Sequence, residues 1–188
     1  MIAPTWVLTA RHCLADAGET TAVRIGGLEL SASTRIAVDC SEVPPAAGDV
    51  ALLHLSVAAS ASAVRLADAD PPQNSTGTMY GWGAEKPVAD GEKALMSPAL
   101  KNADMWIYSA SYPDGDGGAG LSSWSINDTG MGYKGDSGGP LLVGGVQVGA
   151  FSTALNTNSS GMNDHASVAG NRAWIVLSQG VEASDSNS

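Results

Sequence analysis

The hexapeptide Gly135-Asp136-Ser137-Gly138-Gly139-Pro140 sets a serine hydroxyl among glycines. A turn of that kind lets the backbone approach a bound molecule closely. It can also aim successive N–H groups at one point, which is what a developing oxyanion needs. A hydroxyl is a weak nucleophile at neutral pH, so Ser137 would need an adjacent base. The chain has three histidines, His12, His54 and His165. Thr9-Ala10-Arg11-His12-Cys13 reads as the end of a strand that delivers a histidine to a site. His54 sits where strand alternation turns it outward and reads as a surface residue, and His165 reads as a structural or surface histidine. Asp49 stands directly before the apolar run Val50-Ala51-Leu52-Leu53.

Short strands must carry these residues. Candidates are residues 6–9, 22–25, 35–38, 50–55, 78–82, 103–108, 140–143 and 146–152, separated by Gly, Pro, Asn, Asp and Ser. Gly144-Gly145 between the last two is a two-residue hairpin signal. Many short strands with such turns indicate a sandwich or barrel. One helix is expected over residues 171–179, with Asn171 as N-cap and Gly180 as its stop. Pro71-Pro72-Gln73-Asn74-Ser75 is the best linker and divides the chain into two β-rich parts, residues 1–70 and 76–188.

Bulk properties narrow the partners. Nineteen acids against nine bases give a net charge of −10, which argues against a nucleic-acid footprint. No apolar run reaches the roughly 20 residues of a membrane span. The start lacks a basic stretch followed by an uninterrupted apolar run, so no signal peptide is read in this chain. Two cysteines, Cys13 and Cys40, permit at most one internal bridge. Asp114-Gly115-Asp116-Gly117-Gly118 lacks the third ligand and the closing Glu of a calcium loop and reads as a solvated turn. No cofactor and no metal are expected. Asn74, Asn127 and Asn158 fit the glycosylation pattern, and turn chemistry accounts for them equally well.

The serine hexapeptide resembles the nucleophile motif of trypsin-like (chymotrypsin-family) serine proteases. Thr9 to Cys13 resembles the family's histidine motif, with Arg11 as the departure, and Asp49 to Leu53 its aspartate motif. Gly81-Trp82-Gly83 looks like the entry into the family's second barrel, and Trp174-Ile175 like part of its closing helix. All stand in the family's order of His, Asp, Ser, which differs from the order in subtilisins and α/β-hydrolases. The resemblance covers nearly the whole chain. It implies an all-β fold of two packed antiparallel β-barrels with a short C-terminal helix and the site in the cleft between them. The first barrel, residues 1–70, would lack its first strands.

The resemblance further implies a serine endopeptidase that works through an acyl-enzyme. Ser137 would be the nucleophile, His12 the base and then the acid, and Asp49 the group that holds the imidazole. Gly135 and Ser137 N–H groups would form the oxyanion hole, and Met131, Ser152, Ala154, Asn163 and Asp164 would lie at or near the specificity pocket. Met131 occupies the position where trypsins carry an aspartate, so an apolar or small substrate side chain is expected, unless Asn163 or Asp164 lies at the pocket base and restores basic specificity. Protein or peptide substrates follow, with protein inhibitors as candidate partners and secretion of the full-length form. In the family a cysteine upstream of the histidine strand partners the one at Cys13, and none stands there in this chain. A processed N-terminal amine normally inserts beside the acid at Asp136. Ile2 is expected to be committed to the first sheet and unable to reach Asp136, so the chain as written is expected to show little or no activity. The alternative function is a non-catalytic relative or binding module on the same fold.

Overall fold

The computed structural model describes residues 1–15, 21–89, 91–127, 129–157 and 160–185. The chain is mostly β, with a helix at its C-terminal end. Strands β1 (Trp6–Thr9), β2 (Ala22–Ile25), β3 (Thr34–Glu42) and β4 (Ala51–Leu55) form an open antiparallel sheet in the order β1-β4-β3-β2. Strand β4 is the apolar run after Asp49. It is hydrogen-bonded on both sides, with Leu8 opposite Leu52 and Cys40 opposite His54. Along this central strand Ala51, Leu52, Leu53 and Leu55 are all buried while His54 is half-buried.

The second sheet contains β5 (Arg65–Leu66), β6 (Thr76–Gly81), β7 (Lys101–Ser109), β8 (Gly120–Ser125), β9 (Pro140–Val143), β10 (Val146–Thr157) and β11 (Ser160–Ser167). Its order is β11-β8-β7-β6-β9-β10-β5, and β10 also pairs with β11, so six of these strands close into a barrel. Gly144-Gly145 makes the turn between β9 and β10, as the sequence suggested. Strand β5 lies in the stretch assigned above to the first part of the chain, yet it runs parallel to β10. Asn74 and Asn127 adopt positive φ of 70° and 50°, in keeping with turn roles. Asn158 lies outside the described residues.

Alternation along β7 turns Ala103, Met105 and Ile107 into the barrel. There they meet Met79, Leu121, Leu141 and Phe151. Burying each such large side chain is worth about 1.5–3 kcal/mol. A second core joins the two sheets: Ile2, Trp6, Leu8, Val50 and Leu52 of the first pack with Ala150, Ala166, Val168 and Ile175 of the second. Ile2 is thus embedded in the inter-sheet core.

The helix α1 spans Val168–Asp185 and begins earlier than the sequence reading placed it. Ser167, not Asn171, caps it. Ser167 Oγ accepts the Gly170 N–H at 2.8 Å and donates to Asp70 Oδ1 at 2.6 Å. Asn171 lies within the first turn, where its Nδ2 donates to the Ser167 carbonyl at 2.8 Å. Gly180 does not stop the helix. In the middle of a helix glycine costs about 0.5–1 kcal/mol relative to alanine, which a continuing helix can absorb.

Candidate active site

Three local structures converge where the sheets meet. His12 follows β1 on a 3-10 turn spanning Arg11–Leu14. Asp49 sits just ahead of β4 and is almost fully buried. Ser137 lies on the glycine turn before β9, which is tied to β10: the Gly138 N–H donates to the Phe151 carbonyl, and the Phe151 N–H to the Gly139 carbonyl, both at 2.8 Å. Gly138 has φ of 78°, and a side chain there would drive into Thr9 and the Ala10 nitrogen. The turn therefore needs glycine to press against the strand that carries His12.

The three side chains form one chain of contacts. His12 Nδ1 lies 2.7 Å from Asp49 Oδ2, and His12 Nε2 lies 2.7 Å from Ser137 Oγ. An ionised carboxylate can only accept, so Nδ1 carries the hydrogen. In the neutral ring this leaves Nε2 with its lone pair toward Ser137, free to accept the hydroxyl proton. The His12 backbone N–H also donates to Asp49 Oδ1 at 2.9 Å, and Ser152 Oγ donates to Oδ2 at 2.5 Å. Burial pushes the Asp49 carboxyl up, but the bonds from Ser152 and from both donors of His12 outweigh it and hold the group below the ordinary carboxylate range. Asp49 is thereby kept anionic in a buried place while the His12 side chain remains 40% exposed.

Asp136 is buried beside the serine. Its Oδ1 accepts the Gly83 N–H at 2.8 Å and its Oδ2 the Tyr133 N–H at 3.0 Å. Burial raises its pKa, and these two bonds offset only part of that rise. Side chains at Gly81 or Gly83 would overlap this carboxylate, which is the physical content of Gly81-Trp82-Gly83. A cavity of about 200 Å³ adjoins it, lined by Met79, Ala84, Met131 and Tyr133 among others. The turn before Ser137 is closed by the Asp136 N–H on the Tyr133 carbonyl at 3.0 Å, and Gly135 in its third position has φ of 97°. That is the backbone demand of a type II turn.

The candidate pocket residues separate. Ser152 spends its hydroxyl on Asp49. Ala154 faces Asn163 across β10 and β11. Asn163 Oδ1 accepts the Gly132 N–H at 2.8 Å, which ties the segment holding Met131 onto β11, and the Phe151 ring lies directly on Gly132. Asp164 projects to the other face of the strand, toward Thr153, whose Oγ1 donates to Oδ2 at 3.4 Å. Burial raises its pKa. Of the pair left open by the sequence, Asn163 is the one that contacts the segment of Met131.

The family sequence model described as Trypsin matches residues 1–175. The chain belongs to the trypsin family. Two Corynebacterium glutamicum proteins named as peptidases are each 29% identical to it over 186 residues, covering 96% of this chain and 63% of theirs. The chain thus spans less than two thirds of the length of those bacterial relatives. Trypsin delta of Drosophila erecta is 28% identical over 189 residues, covering 90% of this chain and 73% of that one. Among solved structures, neuropsin, a serine protease expressed in the limbic system of mouse brain, superposes with a TM-score of 0.78 at 23% identity, covering 95% of this chain and 86% of that one. Human heparin binding protein gives 0.77 at 20% identity, covering 93% and 82%. At these identities the structural likeness concerns the trypsin fold.

Sequence reasoning missed one acid of this trypsin-family site. Asp114, read as part of a solvated turn, is 5% exposed. Its Oδ2 accepts the backbone N–H of Asp49 at 2.9 Å, while Oδ1 accepts those of Asp116 at 3.0 Å and Gly118 at 2.8 Å. The next residue's N–H, from Gly115, donates to Ser152 Oγ at 3.0 Å. One loop between β7 and β8 therefore grips Asp49 by its backbone and supports the serine that bonds its carboxylate. An Asp followed by Gly-x-Gly-Gly signals a self-bonded turn, but no local pattern tells which other strand such a turn will face. His165 is fully buried, with Nε2 2.9 Å from Ser123 Oγ, and burial lowers its pKa to about 3.

Proposed function

We propose that this chain carries the catalytic machinery of a serine endopeptidase that cleaves protein or peptide substrates, and that the full-length protein is secreted, as trypsin-like proteases commonly are. The observation that carries the reading is the unbroken contact chain from Asp49 through His12 to Ser137, with 2.7 Å at each imidazole nitrogen. Ser137 Oγ attacks the peptide carbonyl as His12 Nε2 takes its proton. The N–H groups of Gly135 and Ser137 stabilise the oxyanion. The tetrahedral adduct then expels the amine, which leaves with the proton from His12. Water, deprotonated by His12, hydrolyses the acyl-enzyme and restores Ser137. Asp49 keeps the imidazole in the tautomer that can accept and stabilises the imidazolium.

The uncharged set Met131, Ala154 and Asn163 suits an apolar or small side chain before the scissile bond. Asp136 is the acid that a processed amine would pair with, and protein inhibitors that mimic a substrate would occupy the same cleft. The test is labelling with a fluorophosphonate probe, followed by peptide mapping. Modification at Ser137, lost in Ser137→Ala together with peptide hydrolysis, supports the reading. The full-length, processed protein is the one to assay, and if it folds yet neither labels nor hydrolyses any of a broad panel of peptide esters it is instead a binding module on the same fold.

A further inference from the structure

On the first sheet, away from Ser137, the β3–β4 pair presents a second cluster. A β-bulge lies between Val38 and Cys40, where β3 shifts register against β4. Bulges break the strict alternation of side chains. Here the successive residues Asp39 and Cys40 are both exposed, and Cys40 is directly opposite His54. His54 Nδ1 lies 2.7 Å from Asp39 Oδ1, and its ring stands edge-on to Trp6 with centroids 4.9 Å apart. Trp6 belongs to the inter-sheet core, so one of the three side chains is held against a rigid wall.

A carboxylate oxygen, a sulfur and an imidazole nitrogen of these residues all lie within 4.8 Å of one another, and no other set of three or more such side chains does so among the described residues. Tetrahedral zinc, with bonds of about 2.0–2.3 Å to oxygen, nitrogen and sulfur, needs neighbouring ligand atoms about 3.3–3.7 Å apart. The exposed side chains of Asp39 and Cys40 are the ones that would have to rotate to close the remaining distance.

We propose that Asp39, Cys40 and His54 form a binding site for a divalent transition metal, zinc in the first place. The site would have three protein ligands and one position open to water or a further ligand. The donor set favours this class of ion. A thiolate selects against magnesium and calcium, and imidazole with carboxylate completes a set typical of zinc. On binding, the Cys40 thiol releases its proton to solvent, and the Asp39–His54 hydrogen bond is replaced by one metal bond to each partner. The ion would pin the bulge of β3 to β4, the strand that Asp49 leads into. The site is independent of hydrolysis.

The test uses the full chain, kept reduced without chelating thiols, and titrated with Co²⁺ and then Zn²⁺. The expected result is one equivalent of Co²⁺ giving thiolate-to-cobalt charge transfer and the intense visible bands of four-coordinate cobalt, both displaced by Zn²⁺. Cys40→Ser should abolish the charge transfer. Both Cys40→Ser and His54→Gln should weaken zinc binding at least about 10–100-fold, since even losing an outer partner of a ligand costs that much. Zinc should raise the melting temperature of the wild type but not of Cys40→Ser, whose circular dichroism spectrum stays that of the wild type. Because His12 and Cys13 could also attract an ion, the titration is repeated in His12→Ala, where binding should persist. The proposal is overturned if cobalt shows no thiolate band, or if binding disappears in His12→Ala and survives in Cys40→Ser.

Discussion

Strands β6 to β11 close on themselves through the β10–β11 pairing, whereas β1 to β4 form an open sheet that ends at β1 and β2. The closed barrel fills its interior with its own side chains, Met105, Ile107, Leu121 and Leu141 among them. The open sheet instead lays its apolar face on the barrel wall and on α1. Each region contributes part of the candidate site. The barrel supplies Ser137, Ser152 and Asp114, and the open sheet supplies His12 and Asp49. The contrast teaches that the 2.7 Å between His12 and Ser137 belongs to neither region alone. It depends on the contacts between them: Gly138 against Thr9, Ser152 on the Asp49 carboxylate, and Asp114 on the Asp49 backbone.

The strongest way to break the pairing is electrostatic. Asp49→Asn should preserve the fold and lower kcat by about 10⁴-fold, the loss the same change causes in the family's type enzyme, because an amide can hold His12 in the wrong tautomer. Peptide-ester kinetics at neutral pH check it, and a loss under about tenfold would detach Asp49 from the chemistry.

A steric version follows. Gly138→Ala puts a methyl into Thr9 and onto a backbone with φ of 78°. The two regions must part slightly, and a displacement near 1 Å can cost about 10²-fold in rate. Circular dichroism should show the barrel intact while kcat falls.

Asp114→Ala sharpens the comparison by removing one clamp while leaving Asp49, His12 and Ser137 in place. The N–H groups of Asp49, Asp116 and Gly118 lose their acceptor; those of exposed Asp116 and half-buried Gly118 can turn to water, but the buried Asp49 donor left unsatisfied costs about 1–3 kcal/mol. Hydrogen exchange should quicken at Asp49 and through β4 while β7 and β8 keep their protection. Uniform loss of protection in both sheets would mean that the clamp is not local.

The smallest effect is confined to the barrel. Burial lowers His165 from an ordinary pKa of 6.5 to about 3. As pH falls below the ordinary value, the unfolded chain takes up a proton that the folded one refuses, so stability declines toward the folded value. The slope is at most about 1.4 kcal/mol per pH unit. His165→Gln keeps a group that can bond Ser123 but cannot titrate. Urea unfolding at about pH 7 and about pH 5 should show a flatter decline for the variant than for the wild type. Parallel declines would place the proton elsewhere.

Much of the architecture was legible because it is local. The apolar run of β4, the double glycine before β10 and the alternation of β7 each announce a strand by pattern alone. Strands β8 and β11 escaped because Gly120–Ser125 and Ser160–Ser167 are polar and rich in small residues. They are strands because β11 is hydrogen-bonded on both sides, to β8 and to β10. The helix start was misplaced by one turn because Ser167 and Asn171 are both good caps, and the choice fell to Ser167, whose hydroxyl Asp70 also holds.

The order of His12, Asp49 and Ser137, and the glycines around the serine, are properties of the chain itself. Their residue types specify a proton acceptor, an acid and a nucleophile before any folding is considered. Which of Asn163 and Asp164 meets the segment of Met131 was decided by strand register, since adjacent residues on a strand face opposite ways. That Asp114 is buried against Asp49 was decided by a contact spanning 65 positions in sequence. Periodicity reports only what lies within a turn or two, whereas the first placement needs the register of β11 against β8 and β10, and the second needs a loop of one sheet to close over a residue of the other.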